Sequence, residues 1–321
     1  MDFTLYWFMF PVSIVVATTA MMSGIGGAAF FTPLFLVIFP LLGPEYVITP
    51  VQAVGTALFI ETFGFSSGFV GYCRKGLIDF KSALPFIAVA VPIGIVGALL
   101  AGEVPGWAIT GGYAILMVVL GTVMLRHHEE VEIPLDEAAL AEMLEGVNWS
   151  DAGDPIGAYS IGASETPPRT RTITGRDGQS YTFAIPRQGI GALVTAIGAL
   201  LTGLLSVGIG EVTMPQLAKR NRVPIPVAAA TSVLVVIITV ALTSFTHIAA
   251  LVKGGGLAAV PWHLVAYAVP AVIIGGQIGP HLQGRVAHKT MERVIGSLFL
   301  LIAVAMVFVA YSKFIAFGSG H

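Results

Sequence analysis

The sequence predicts an all-α polytopic membrane protein made of two inverted-topology repeats, each a broken helix hairpin followed by three transmembrane helices. Three observations carry that expectation. The 321 residues are 55% hydrophobic and only 11% charged, whereas a soluble domain carries roughly 25% charged residues. Most of the surface must therefore face something other than water. Eight long apolar stretches follow one another, at 5–42, 47–72, 83–101, 107–125, 190–217, 223–250, 262–282 and 294–311. Two of them, the first and the fifth, are interrupted by the same punctuation.

A helix needs about 20 apolar residues to cross a bilayer core of roughly 30 Å, and most of the stretches fit one crossing. The first is nearly twice too long for one. It breaks at Ser23-Gly24-Ile25-Gly26-Gly27 and is followed by Pro33. The fifth breaks at Ser206-Val207-Gly208-Ile209-Gly210 and is followed by Pro215. Each break joins the permissive backbone of glycine to a proline that cannot donate a hydrogen bond, so each stretch reads as two helical limbs around an irregular tip. The opening segment, 1–13, lacks the basic leader and small-residue cleavage site of a signal peptide and reads as the start of the first membrane segment.

The breaks belong to a repeat. Residues 24–33 lie over 206–215, and Thr49 to Thr56 over Pro224 to Thr231. Val91-Pro92 with Gly97 lies over Val269-Pro270 with Gly275. Three punctuated motifs thus recur in order at a nearly constant offset. The expected domains are a first transmembrane repeat over 1–125, an acidic insert over 126–187 and a second transmembrane repeat over 188–321.

Charge decides how the halves are related. Arg74, Lys75 and Lys81 follow the second stretch, Lys219, Arg220 and Arg222 the fifth, and Arg285, Lys289 and Arg293 the seventh. Basic loops belong on the cytoplasmic side. All three clusters fall on that side only if each broken stretch enters the membrane and returns. Each half is then topologically odd, so the halves are inverted and both chain ends lie outside. Inverted repeats with broken helices characterise transporters whose site lies near the bilayer midplane, where irregular backbone is tolerated only inside protein or beside a watery cavity.

The insert is a different material. It holds eleven of the eighteen acidic residues, begins His127-His128-Glu129-Glu130, and has a short helical pattern over 135–144. The runs 172–174 and 180–183, around Gly175-Arg176-Asp177-Gly178, read as a β-hairpin. The insert is expected in the cytoplasm, as a linker or a small regulatory appendage.

Helical limbs that restart after Gly27 and Gly210 expose unpaired N–H groups at a positive dipole end, which favours an anion. Close helix packing is the competing explanation for such glycines. The candidate substrate-binding set is Ser23, Gly24, Gly26, Gly27, Thr32 and Thr56 from the first half, with Ser206, Gly208, Gly210, Thr213 and Thr231 from the second. The hydroxyls among them could equally bond their own helix backbone. Glu61 and Glu211 are the candidate proton-coupling residues. Glu61 lies mid-stretch, where a carboxylate is costly unless protonated, paired or in a watery cavity and by default marks a transport route. Glu211 starts a half-helix, where it could instead be a plain cap.

Gly24-Ile25-Gly26-Gly27 with Pro33, the Ala53-Val54-Gly55-Thr56 segment, and the recurrence of both near Pro215 and Thr231 resemble the TauE/SafE sulfite-exporter family of membrane transporters. The resemblance covers both apolar halves and leaves out the acidic insert. It implies transport of sulfite, an organosulfonate or a related sulfur-containing or organic anion, usually outward. The family favours a run of glycines at each tip, and Ala28, Ile209 and Glu211 depart from it.

The expected function is therefore proton-coupled export of a small anion by a multi-pass protein of the cell (inner) membrane. A passive anion channel or uniporter, and a non-transporting assembly or sensor protein, are the rivals. No enzyme constellation, cofactor or metal motif is present in the sequence, and no nucleic-acid partner is expected. The partners are a small anionic substrate and the lipid bilayer, and a homodimer is compatible with the pattern. His247 is expected at an interface, His281 and His288 on the rim of a basic loop, and Cys73 to be inert. His127 and His128 read as part of a solvated segment. Arg74, Lys75, Arg220 and Arg222 read as topology determinants that also attract anions to the cytoplasmic mouth.

Overall fold

Helices satisfy every backbone polar group internally, which lipid demands of a spanning segment, and the apolar stretches all become helices. The structure is a computed structural model that describes residues 4–23, 25–126, 170–176, 178–185, 189–282 and 288–318. The first broken stretch forms α1 (Met9–Ser23), α2 (Ala28–Pro33), a π-helical turn (Leu34–Ile38) and α3 (Phe39–Leu42). Three long helices follow: α4 (Pro50–Lys75), α5 (Phe80–Ala101) and α6 (Gly106–Arg126). The second half also opens on a broken stretch and goes on to three long helices, without a counterpart of α3. Its broken stretch forms α7 (Gly189–Leu205), α8 (Ile209–Pro215) and a π-helical turn (Gln216–Arg220), and is followed by α9 (Ile225–Gly255), α10 (Trp262–Leu282) and α11 (His288–Gly318).

The six long helices that follow the two broken stretches are each long and apolar enough to cross a membrane. Their outer faces stay apolar and uncovered: Leu301 is 70% exposed, Val304 73% and Phe308 74%. Surfaces of that kind are stable against lipid and not against water. The chain is an all-α polytopic membrane protein.

The helix pairs exchange between the halves. α1 packs on α10 as α7 packs on α5, α4 lies against α10 as α9 lies against α5, and α4 meets α9 while α6 meets α11. Equivalent glycines make equivalent close approaches. A Cβ on Gly97 of α5 would lie 2.6 Å from the Leu200 carbonyl of α7, and one on Gly275 of α10 would lie 2.6 Å from the Ile14 carbonyl of α1. Small residues let helix backbones approach where lipid offers no hydrophobic drive to associate.

Each half-helix turns π-helical directly after its proline, at Pro33 and at Pro215. Proline leaves the carbonyl four residues earlier without its usual donor, and the chain relaxes into wider turns. For Pro33 the orphaned carbonyl is that of Ala29, and the Tyr113 hydroxyl of α6 donates to it at 2.9 Å.

From the insert, the hairpin is present as β1 (Thr170–Thr174) and β2 (Ser180–Ala184), paired antiparallel with Thr172 opposite Thr182. Its alternation puts Arg171, Ile173, Tyr181 and Phe183 on the inner face and threonines outside. Arg171 donates to both carboxylate oxygens of Asp79, which is buried at the start of α5. Asp79 also accepts from the Ser82 N–H as the helix cap. The Asp79 N–H in turn donates to Thr231 Oγ1 of α9 at 3.0 Å, and the Arg176 N–H donates to the Lys75 carbonyl. The hairpin is thus seated on the α4–α5 turn. The helical pattern at 135–144 and His127–His128 lie outside the described residues.

Candidate functional site

The two broken tips meet. The point where a Cβ on Gly210 would stand lies 3.8 Å from the Gly26 nitrogen, and Thr32 Oγ1 of α2 lies 2.6 Å from Ser206 Oγ at the second tip. Contact between segments so far apart in sequence requires both tips to reach the same depth. The second tip is shaped by unusual backbone: Ser206 has φ 64° and Gly208 φ 144°. A left-handed serine costs about 1–2 kcal/mol, and here it ends α7 while turning its hydroxyl toward Thr32.

Both candidate carboxylates sit at this junction, Glu61 buried and Glu211 half-buried. Glu211 receives the Gly26 N–H at 3.1 Å on one oxygen and the Gly208 N–H at 2.9 Å on the other. It caps its own half-helix and reaches across to the opposite tip. Glu61 of α4 stands beside the backbone of Gly27 and Ala28, where α2 begins. A side-chain carboxylate thus stands at the N-terminal end of each half-helix. A Cβ on Gly26 would lie 2.7 Å from Glu61 Oε1 and 3.4 Å from Glu211 Oε1. A side chain on Gly26 would displace the Glu61 carboxylate, and the two oxygens are within about 6 Å of each other.

Tyr113 completes the cluster. Its buried hydroxyl donates to the Ala29 carbonyl and lies near the Thr32–Ser206 hydroxyl pair. Sequence reasoning missed it. The signal was available, since Pro33 requires a donor for the Ala29 carbonyl and a lone tyrosine sits in the fourth apolar stretch.

Of the candidate residues, Gly26, Gly27, Glu61, Thr32, Ser206, Gly208, Gly210 and Glu211 come together. Thr213 donates to its own helix at the Ile209 carbonyl, 2.7 Å away. Thr56 is buried with no partner for its hydroxyl among the described residues. Thr231 lies apart, joined to Asp79 beneath the hairpin. Ser23 ends α1, and Gly24 lies outside the described residues. His247 differs from the interfacial position expected of it. It is 1% exposed and its Nε2 lies 2.7 Å from the Gly203 carbonyl, because α9 continues two turns past it to Gly255.

The family model for the sulfite exporter TauE/SafE matches residues 9–306. A probable membrane transporter protein of Bacillus subtilis (strain 168), YunE, is 21% identical over 295 residues, covering 92% of this chain and 94% of the relative. No solved structure matches.

Proposed function

The chain belongs to the sulfite exporter TauE/SafE family, a family of membrane transporters, and from that premise we propose that it exports a small sulfur-containing oxyanion, sulfite or an organosulfonate, coupled to a proton on Glu61. The observation that carries the reading is the convergence of Glu61 and Glu211 on the two half-helix tips, with Glu211 bonded to the Gly26 and Gly208 N–H groups and Glu61 against Gly26.

A carboxylate and a small oxyanion present the same kind of acceptor, so donors that hold one suit the other. An anion entering beside the buried Glu61 and the half-buried Glu211 carboxylates would meet strong repulsion in a medium of low dielectric. A proton taken up by Glu61 removes one of those charges and leaves the N–H groups at the start of α2 to the anion. Anion binding and protonation are then one event, which is what coupling requires. Thr32, Ser206 and Tyr113 supply hydroxyls that orient the anion, and Glu211 holds the second tip in register through Gly26. Rocking of the two repeats about this junction would expose it alternately to each side. The exchange of helix pairs between the halves supports that inverted arrangement, with the membrane being the cell's inner one and the hairpin cytoplasmic.

The test is uptake of sulfite, sulfate and small sulfonates into proteoliposomes with and without a pH gradient. Gradient-driven accumulation of a sulfur oxyanion is expected. Flux that only equilibrates would identify a passive channel or uniporter instead, and no flux of any of them would remove the substrate class.

A further inference from the structure

One face of α4 descends from the junction through Glu61, Gly64, Gly68, Gly71 and Lys75, positions three to four apart and so on one side of the helix. Two cavities lie along that face. A small one of about 10 Å³ is bounded by Ala20, Met21, Glu61, Gly64 and Val272. A larger one of about 330 Å³ is bounded by Gly68, Gly71, Arg74, Lys75, Gln277 and His281. Its lining carries two cations and no carboxylate, and the one salt bridge among the described residues uses neither of them. Between the cavities stands Met21 of α1. A Cβ on Gly68 would lie 2.2 Å from Met21 Cε, so the thioether rests directly on the Gly68 backbone. On its other side, a Cβ on Gly279 would lie 2.5 Å from Met21 Cβ.

We propose that the seam between α4 and α10 is the route by which a small oxyanion passes between the Arg74–Lys75 cavity and Glu61, and that Met21, lying over Gly68, is the gate that closes it. The inference rests on the transport reading above. The larger cavity gathers anions by its charge. The glycines leave the α4 face without side chains. Methionine suits a gate because it is unbranched and turns about three bonds, so it clears Gly68 by rotamer change alone while helix packing stays in place.

The test is access rather than transport, so it can fail independently of the substrate reading. In the full chain carrying Cys73→Ser, single cysteines are placed at Gly71, where a Cβ meets nothing within 4 Å, and at Ala20 beyond the gate. Both are challenged in membranes with an anionic, membrane-impermeant thiol reagent. Gly71→Cys reacts readily and Ala20→Cys is protected. Adding Met21→Ala raises the Ala20→Cys rate by roughly tenfold or more, in proportion to the open fraction, and leaves Gly71→Cys unchanged. Met21→Val, a milder shortening, repeats the test if the alanine variant does not yield folded protein. Met21→Leu, which still covers Gly68, keeps Ala20→Cys protected. An Ala20→Cys rate that ignores both shortening variants while Gly71→Cys stays reactive overturns the gate, as does ready reaction of Ala20→Cys with Met21 intact.

Discussion

At the scale of single residues, the site is built from conflicts that apolar sequence makes visible. Glu61 was legible because a carboxylate in the middle of an apolar span needs a reason, and Glu211 because it opens a half-helix. Their mutual approach was not, since nothing in the chain states that residues 26, 61 and 211 share one point. Gly26 makes that point usable, and Gly26→Ala tests it. The new methyl meets the end of a flexible side chain rather than backbone, so the protein should fold and keep its thermal transition in detergent while Glu61 is pushed from its place. Gradient-driven uptake should fall roughly tenfold or more, the effect of about 1.4 kcal/mol of lost positioning. Tyr113→Phe is a separate case. It leaves the Ala29 carbonyl without its donor, at a cost of about 1–3 kcal/mol, read as a lower melting temperature.

At the scale of elements, helix existence followed from apolar length, and the stretch at 262–282 coincides with α10. The ends ran differently where polar residues remain compatible with a helix. α11 begins at His288 rather than 294, because hydrogen bonding along the backbone continues past the edge of the apolar pattern. The hairpin was legible from its alternation, but its seat on Asp79 was not, because an ion pair across 92 positions leaves no local trace. The crossing of α5 and α7 depends on glycine at Gly203, where a Cβ would lie 2.3 Å from the Gly94 carbonyl. Gly203→Ala should therefore destabilise by about 1–3 kcal/mol or more through overpacking. Gly254→Ala, with nothing within 4 Å of its Cβ, should leave the melting temperature in detergent unchanged or slightly raised.

At the scale of the whole molecule, the two halves share a broken stretch ahead of three long helices, a proline followed by π-helical turns, and matching glycine contacts. The recurring punctuation was visible in the sequence because prolines and glycines keep their places while the apolar residues between them vary. The separation of Thr231 from the tips was not. Thr56 and Thr231 match by motif, yet the hairpin sits on the first half's α4–α5 turn and engages Thr231 of the second half through Asp79. Thr56 has no such link among the described residues.

The anion and the Glu61 carboxylate, in the proposed cycle, alternate at the half-helix tips, with a proton balancing the exchange. The most direct measurement compares wild type with Glu61→Gln in proteoliposomes for two processes, accumulation of sulfite driven by a pH gradient and exchange of labelled for unlabelled sulfite without one. The neutral side chain cannot carry the proton but also no longer repels the anion. Exchange should persist in Glu61→Gln while gradient-driven accumulation is lost. Accumulation equal to wild type in the variant would contradict that cycle.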